Sequence, residues 1–302
     1  MAGFVGPDYV VKSYSYDLKK IVRMKNGACS RVNWEDVPCS TSENKKIGDK
    51  FYSSFIRAKN TFFDIVMCNE WDYFCTFTLD PQKYDRYNLS RFRKDLGQFI
   101  RDMRKRGYDI SFAFVPERHK DGAWHLHGLL RCPQLWEDLR PFEAGKHPRK
   151  LVDGTLEKQW RWWPDYQERF GFCSLSPIVN HEACCRYVCK YITKDMAKVN
   201  ASLNAQLYTC SVGLKRPDKC HVYGAVPELD RQCSLDTAYA YVGYDYMKDS
   251  ELLAYCCTGG NDVYINGKRV GGEVVCDVWD DFYEVSDEDF VDVFLFPPPL
   301  SS

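Results

Sequence analysis

Hydrophobic positions between residues 51 and 216 follow two different spacings, which predict strands and helices in turn. Residues 73–79 are rich in aromatic residues and threonine and end at Asp80-Pro81, so they predict a strand. Strands are also predicted over 110–117, 124–132, 172–179 and 207–214. Apolar residues at helical spacing predict helices over 51–69, 89–106 and 181–198. This order favours an α+β fold in which helices pack on an antiparallel sheet.

The rest of the chain has a different character. Residues 1–50 mix glycine, serine, asparagine and isolated aromatic residues without a sustained period, and we treat them as an N-terminal appendage of unknown role. Within the domain at 51–216, a polar segment at about 133–171 carries several tryptophans and reads as an insertion. Residues 217–302 are expected to form a separate acidic C-terminal region.

Charge is distributed unevenly along the chain, although the formal net charge is only −1. Residues 228–302 contain 16 acidic and 4 basic residues, whereas residues 1–227 contain 26 acidic and 37 basic residues. A basic body fits a polyanionic partner, and a solvated basic face is the alternative. The acidic tail, especially residues 277–292, is expected either to be a solvating segment or to compete with the polyanionic partner for the basic face.

The cysteines and the hydropathy pattern exclude other classes of protein. The 15 cysteines are odd in number and contain no Cys-x-x-Cys pair, so reduced thiols are expected rather than a disulfide scaffold or a zinc ribbon. No apolar run approaches the roughly 18 residues that a membrane-spanning helix needs. We therefore expect a cytoplasmic protein without a membrane partner.

Two histidines on one predicted strand form the first candidate site. His125 and His127 are two residues apart, so their side chains point to the same face. If the preceding hairpin is centred on Asp121, Glu117 lies directly across from His125. Two imidazoles and one carboxylate are a suitable shell for a divalent metal, although this set alone does not name the metal. The alternative is that they are half-buried polar residues of a sheet.

Two tyrosines on a predicted helix form the second candidate site. Tyr187 and Tyr191 share one face with Lys190 and Lys194, and an apolar stripe that includes Val188 forms the opposite face. A phenol suits a reversible exchange of phosphodiester bonds, because it is a good leaving group once it has reacted. The lysines would position a phosphate and favour the phenolate. The alternative is an ordinary amphipathic helix.

Taken together, three ordered segments resemble the motifs of HUH endonucleases. They are Phe74 to Thr78, Glu117 with His125-Leu126-His127, and Tyr187-x-x-Lys190-Tyr191-x-x-Lys194. More narrowly they resemble rolling-circle replication initiators of small phages and plasmids, and the two tyrosines spaced by four resemble the microvirus type. The resemblance covers about residues 57–216.

The resemblance implies a ferredoxin-like sheet with the histidine pair on a central strand, and Mg²⁺ or Mn²⁺ as the cofactor. It implies nucleophilic roles for Tyr187 and Tyr191 and phosphate positioning by Lys190 and Lys194; in single-tyrosine relatives only the first tyrosine acts. The expected partners are single-stranded DNA at an origin and a host helicase and polymerase, in a bacterial cytoplasm. Expected DNA contacts are Thr76, Thr78, Arg91, Arg93, Lys94, Arg101, Lys215 and Arg216.

The expected function is therefore the start of rolling-circle replication, by metal-dependent nicking and joining of one DNA strand at a specific site through a 5′-phosphotyrosine. A two-tyrosine transposase uses the same chemistry and is the first alternative. A non-catalytic protein that binds single-stranded DNA and controls a replicon is the second. An oxygenase with two histidines and a carboxylate would leave the tyrosine helix unexplained.

Overall fold

The computed structural model of the 302-residue chain describes residues 7–25, 57–142, 160–192, 207–236, 240–258 and 260–271. The described strands are β1 (Tyr9–Ser13), β2 (Leu18–Met24), β3 (Tyr73–Thr78), β4 (Ser111–Arg118), β5 (Trp124–Arg131), β6 (Arg140–Pro141), β7 (Arg161–Trp162), β8 (Cys173–Pro177), β9 (Thr209–Cys210), β10 (Asp218–Tyr223), β11 (Leu235–Asp236), β12 (Ala240–Tyr246), β13 (Asp262–Ile265) and β14 (Lys268–Gly271). The described helices are α1 (57–67), α2 (Leu89–Lys105), α3 (Pro164–Arg169), α4 (His181–Cys189), α5 (Pro227–Asp230) and α6 (Asp249–Cys257), with short 3₁₀ turns at Ser15–Asp17 and Pro133–Glu137.

The chain divides into two compact units. Residues 58–215 form one, which we call the central unit, and residues 1–57 together with 216–302 form the other, the terminal unit. Each unit contains an antiparallel sheet, so the expected mixture of helices and antiparallel strands is confirmed.

The sheet of the central unit has the strand order β6-β7-β8-β3-β5-β4-β9. One face carries the apolar core, in which Phe77 on β3 and Leu126 on β5 pack against α2. The opposite face carries Thr76 and Thr78 from the alternate positions of β3. Because side chains alternate along a strand, one sheet supplies both a core and a polar face.

Helix α2 covers the core face with an apolar stripe of Phe92, Leu96, Phe99, Ile100 and Met103. Its N-cap is Asn88, whose side chain accepts a hydrogen bond from the backbone N–H of Arg91 at 3.0 Å. The helix ends just before Gly107, which adopts a positive φ of 95°.

The tryptophan-rich insertion belongs partly to this core. Trp163 immediately precedes α3, is fully buried and lies 4.9 Å from the ring of Phe99. Trp136 is exposed to 38%, and the guanidinium of Arg161 stacks over it at 3.8 Å. Packing in the core therefore accounts for Trp163.

The terminal unit joins strands from both ends of the chain in one sheet, with the order β11-β12-β2-β1-β10-β13-β14. Helices α5 and α6 pack on one face, where Leu229 and Leu252 share a buried cluster with Val11 and Ile21. The sequence treated residues 1–50 and 217–302 as separate regions. Their described strands pair directly, β1 with β10 and β2 with β12.

In the described part of the chain, no helix is long and apolar enough to cross a membrane. The described cysteines are free thiols. The acidic stretch at 277–292 lies outside the described residues.

Candidate functional site

The hairpin of β4 and β5 sets the relative positions of Glu117, His125 and His127. The five-residue turn is centred on Asp121, and Gly122 takes a positive φ of 86° that a side chain would strain. The turn is closed by the backbone N–H of His119, which donates to the carbonyl of Ala123 at 2.8 Å. Glu117 pairs directly with His125, so the predicted register is confirmed.

Strand β3 lies on the other side of β5 and places a threonine opposite each histidine. Thr76 pairs with His127, and Thr78 pairs with His125. Each hydroxyl Oγ1 lies 3.1 Å from the Nδ1 atom of the histidine opposite it. The sequence assigned these threonines to DNA contact and did not foresee that they bond the histidines.

A carboxylate completes the cluster. Glu117 Oε2 lies 2.7 Å from Nε2 of His127, whose side chain is only 9% exposed. The hydrogen bond from His127 lowers the pKa of the Glu117 carboxyl below its ordinary value, so this group is ionised at neutral pH. Burial lowers the pKa of His125, and the nearby His119 and His127 add to this effect. His125 is therefore neutral at pH 7, which is the form that binds metals.

These three side chains match a divalent metal in donor type. Two imidazoles with Nδ1 tied to hydroxyl groups leave Nε2 as the nitrogen that a metal would take, and a carboxylate lies beside them. The rings of His125 and His127 are nearly parallel, with their centroids 6.5 Å apart. In their present positions no three His, Cys, Asp or Glu side chains among the described residues converge tightly enough to hold a metal.

Helix α4 brings the tyrosines to the same face of the sheet. Asn180 caps its N-terminus by accepting a hydrogen bond from the N–H of Ala183 at 2.9 Å. The predicted apolar stripe is confirmed where it is described, because Cys185, Val188, Cys189 and Ile192 are buried. Tyr187 is 37% exposed, and Lys190 is exposed beside it.

The helix is shorter than the sequence predicted. The regular helix ends at Cys189, and the N–H groups of Lys190, Tyr191 and Ile192 each bond three residues back, in the tighter pattern of a 3₁₀ turn. Tyr191 therefore lies in a turn that follows the helix. Lys194 lies outside the described residues.

The two phenols nevertheless come together beside the histidines. Tyr191 stacks on His127, with ring centroids 4.0 Å apart and an interplanar angle of 6°. Its hydroxyl lies 3.0 Å from the hydroxyl of Tyr187 and donates to it. Tyr187 packs edge-on against Phe74 at 5.5 Å, and Lys190 Nζ lies 5.7 Å from the centre of the Tyr187 ring. Imidazoles, carboxylate, phenols and ammonium group thus share one polar face.

The basic residues of α2 lie elsewhere. Because α2 packs on the core face of the sheet, Arg91, Lys94 and Arg101 are separated from the histidines by the sheet itself. Arg91 pairs with Asp95 at 3.6 Å, and Arg101 bonds the side chain of Gln98. Arg93 is largely buried, which lowers its pKa to about 10.

Lys215 and Arg216 are exposed. The backbone of Lys215 is clamped by Asn69, whose side chain accepts from its N–H at 3.0 Å and donates to its carbonyl at 3.1 Å. The same Asn69 accepts a hydrogen bond at its own carbonyl from His181 Nε2 at 2.7 Å. This residue therefore links the first residue of α4 to the end of the central unit.

The fold and the site together define a mixed α/β protein in which one sheet face gathers two histidines, a glutamate and two tyrosines. Residues 72–196 match the model of a family of replication-associated proteins, described under the name ORF2. The matched segment contains β3, β4, β5 and α4, and with them the described site residues Thr76 to Tyr191. No curated protein and no solved structure matches the chain. The family match supports a role in replication and a relation to replication initiators.

Proposed function

We propose that this protein initiates rolling-circle replication by nicking and rejoining one DNA strand at an origin through a covalent phosphotyrosine. The observation that carries the proposal is the contact of two phenol hydroxyls, 3.0 Å apart, beside a histidine and glutamate cluster. The family match to replication-associated proteins covers the same residues and supports the same class of reaction. Within this proposal the central unit is an HUH nickase domain of the ferredoxin-like type.

Tyr187 is the attacking group in the proposed reaction. Its oxygen forms a bond to the phosphorus of the scissile phosphodiester, and the bond from phosphorus to the 3′ oxygen breaks. The phenol gives up its proton and the leaving 3′ oxygen gains one, which leaves a 5′-phosphotyrosine and a free 3′ hydroxyl for a host polymerase. Reversal of these steps with another 3′ hydroxyl joins the strand.

The neighbours of Tyr187 suit this role. Donation from the Tyr191 hydroxyl stabilises negative charge on the Tyr187 oxygen, and the nearby Lys190 ammonium group adds positive charge. Phe74 supports the ring from the side of the sheet. Tyr191 is held by its stacking on His127, and in the proposed cycle it takes its turn as the second nucleophile.

His125, His127 and Glu117 are the residues that would hold a divalent cation, Mg²⁺ or Mn²⁺. When bound, such an ion polarises the phosphoryl oxygens and offsets charge on the phosphate. Lys190 contributes positive charge from the side of the helix. Lys194 is expected to do the same.

The substrate in this proposal is single-stranded DNA at an origin, opened by a host helicase in the cytoplasm of a bacterial cell. Exposed cations that neutralise phosphates give an affinity that falls as salt rises. Lys215, the last residue of the central unit, and Arg216, which follows it in the sequence, are candidates for such contacts. The cations of α2 lie on the opposite side of the sheet from the histidines. A DNA strand that contacts both must therefore pass around the edge of the β-sheet.

The test is the formation of a covalent adduct. The full-length protein is incubated with Mn²⁺ and a labelled single-stranded oligonucleotide from the origin, which is identified beside the gene, and the products are run on a denaturing gel. We expect a protein–DNA adduct that is absent with a chelator and absent from the double variant Tyr187→Phe, Tyr191→Phe. Tyr246→Phe, which alters an exposed phenol of the terminal unit, is the control and should match the wild type. An adduct that persists in the double variant would exclude these tyrosines as nucleophiles.

A further inference from the structure

Each histidine of the candidate site is held by a threonine hydroxyl, and this pairing is repeated along two adjacent strands. Thr76 Oγ1 lies 3.1 Å from His127 Nδ1, and Thr78 Oγ1 lies 3.1 Å from His125 Nδ1. The residue pairs are direct partners in the ladder of β3 and β5. The pairing is therefore fixed by strand register and does not depend on a mobile loop.

The second ring nitrogen of His127 faces a different partner. Nε2 lies 2.7 Å from an oxygen of the Glu117 side chain, and a carboxylate only accepts hydrogen bonds. A neutral His127 must therefore carry its hydrogen on Nε2 in this arrangement. Its Nδ1 is then an acceptor, and the Thr76 hydroxyl must donate to it.

The proton positions must change if Nε2 is to act as a metal ligand. A nitrogen that coordinates a metal has no hydrogen, so the ring hydrogen moves to Nδ1 and needs an acceptor there. A hydroxyl group can donate or accept by rotation of one bond, whereas a carbonyl only accepts and an ammonium group only donates. Threonine is therefore suited to both states of the same histidine.

Resting on the proposed function, we propose that Thr76 and Thr78 are positioning residues that hold the two histidines in either tautomer. In the metal-free protein the Thr76 hydroxyl donates to Nδ1 of His127 while Nε2–H donates to Glu117. With Nε2 committed to a metal, the same hydroxyl accepts from Nδ1–H. Thr78 accepts in the same way from His125 when that ring is a ligand. The direct DNA contact that the sequence suggested for both threonines stays a prediction beside this role.

The chain allows a matched set of variants. Thr76→Val and Thr78→Val keep the branched shape that suits a strand and replace only the hydroxyl group with a methyl group. Thr76→Ser and Thr78→Ser keep the hydroxyl and remove a methyl group. Thr209→Val makes the same change on β9 of the same sheet, where the threonine hydroxyl has no hydrogen-bond partner among the described residues. Unchanged thermal melting temperatures would show that all five variants fold.

The first measurement is nitrogen-15 NMR of the histidine rings in the metal-free full-length protein at about pH 8, where an ordinary histidine is neutral. We expect the Nε2–H tautomer for His127 in the wild type. The Nδ1 signal of His127 should shift in Thr76→Val, because it loses a donor, and return towards the wild-type position in Thr76→Ser. Addition of Mg²⁺ should move the hydrogen of His127 to Nδ1 in the wild type.

The second measurement is Mn²⁺ affinity by calorimetry. Loss of a residue that orients a ligand typically weakens metal binding by about 10–100-fold, which is the expected effect of each valine variant. The serine variants and Thr209→Val should stay within about threefold of the wild type, by the same reasoning.

These outcomes separate the inference from the proposed function. Valine variants that bind Mn²⁺ as the wild type does, or that leave the Nδ1 signals unchanged, would overturn the role of the threonines while nicking by the wild type still stood. A wild-type protein that binds Mn²⁺ through these residues but forms no DNA adduct would overturn the nickase alone. A wild-type protein that binds no Mn²⁺ would overturn both.

Discussion

At the scale of single residues, His127 contacts three other side chains of the candidate site. It contacts the Thr76 hydroxyl through Nδ1 and the Glu117 carboxylate through Nε2, and Tyr191 stacks on its ring. One imidazole thus connects the hairpin, the adjacent strand and the tyrosine segment. Its position determines how the expected metal ligands and the phenols are placed relative to one another.

Gly128 follows His127 and allows the strands to approach at this point. A Cβ atom on Gly128 would lie 2.2 Å from the carbonyl oxygen of Ala113 and 2.5 Å from a ring carbon of Phe114. Contacts this short require a shift of the backbone of β4. Any such shift would also move Glu117, which belongs to the same strand.

We therefore predict that Gly128→Ala lowers the free energy of unfolding by about 1–3 kcal/mol, the usual cost of overpacking a core. Chemical denaturation of the full-length protein measures this change. Gly97→Ala is the control, because a Cβ atom in the middle of α2 meets only Arg101 Nη1 at 3.6 Å. That variant should be more stable than the wild type by about 0.4–1 kcal/mol. An unaffected Gly128→Ala protein would contradict the close approach of β4 and β5.

At the scale of elements, α4 is the part of the fold that presents the phenols to the sheet. Its buried side, Cys185, Val188 and Cys189, fixes its rotation, so that Tyr187 points towards Phe74. The tightening of the chain after Cys189 places Tyr191 over His127. The start of the helix is held twice, since Asn180 caps it and His181 bonds the carbonyl of Asn69.

Loss of the Asn180 cap should loosen this element. We predict that Asn180→Ala costs about 1 kcal/mol of stability and slows formation of the covalent adduct, because α4 frays from its first turn. Hydrogen exchange of the α4 amides should increase. Asn88→Ala removes the equivalent cap from α2 on the opposite face of the sheet, and it should cost a similar free energy without slowing adduct formation. Equal effects of the two variants on the adduct would argue against a special role for α4.

At the scale of the whole molecule, the chain forms two units, and the strands of their sheets come from different parts of the sequence. The sheet of the central unit uses strands from one continuous segment. That of the terminal unit pairs strands from the two ends of the chain, such as Val10 with His221. One buried charge of the terminal unit is paired, because Lys19, only 1% exposed, donates a hydrogen bond to Asp249 on α6 at 2.7 Å.

The central unit was largely predictable because its signals are local. The residue pattern of β3, β4 and β5 predicted the strands. The Asp-Gly turn between β4 and β5 predicted the register that pairs Glu117 with His125. The spacing of apolar residues along α4 predicted that the buried stripe and the tyrosines lie on different sides of the helix. The family match covers this same region of the chain.

Two features could not be predicted, for physical reasons. The end of α4 at Cys189 depends on packing of the following turn against the sheet, and no glycine or proline marks it in the sequence. The sheet of the terminal unit depends on pairing between distant segments, which local periodicity does not report. The threonine–histidine hydrogen bonds were predictable only in part. The alternation of side chains along β3 placed Thr76 and Thr78 on one face, but it did not show which strand lies beside β3.

The most direct test of the central claim is to find which tyrosine carries DNA after a single cleavage. Trypsin cuts after lysine and arginine, so Tyr187 and Tyr191 fall on separate peptides, Tyr187-Val188-Cys189-Lys190 and Tyr191-Ile192-Thr193-Lys194. The wild-type adduct, formed with Mn²⁺ and an origin oligonucleotide, is digested with trypsin and nuclease and analysed by mass spectrometry. We predict a nucleotide phosphate on the Tyr187 peptide. Its attachment only to the Tyr191 peptide, or to a peptide from another part of the chain, would contradict the proposed role of Tyr187.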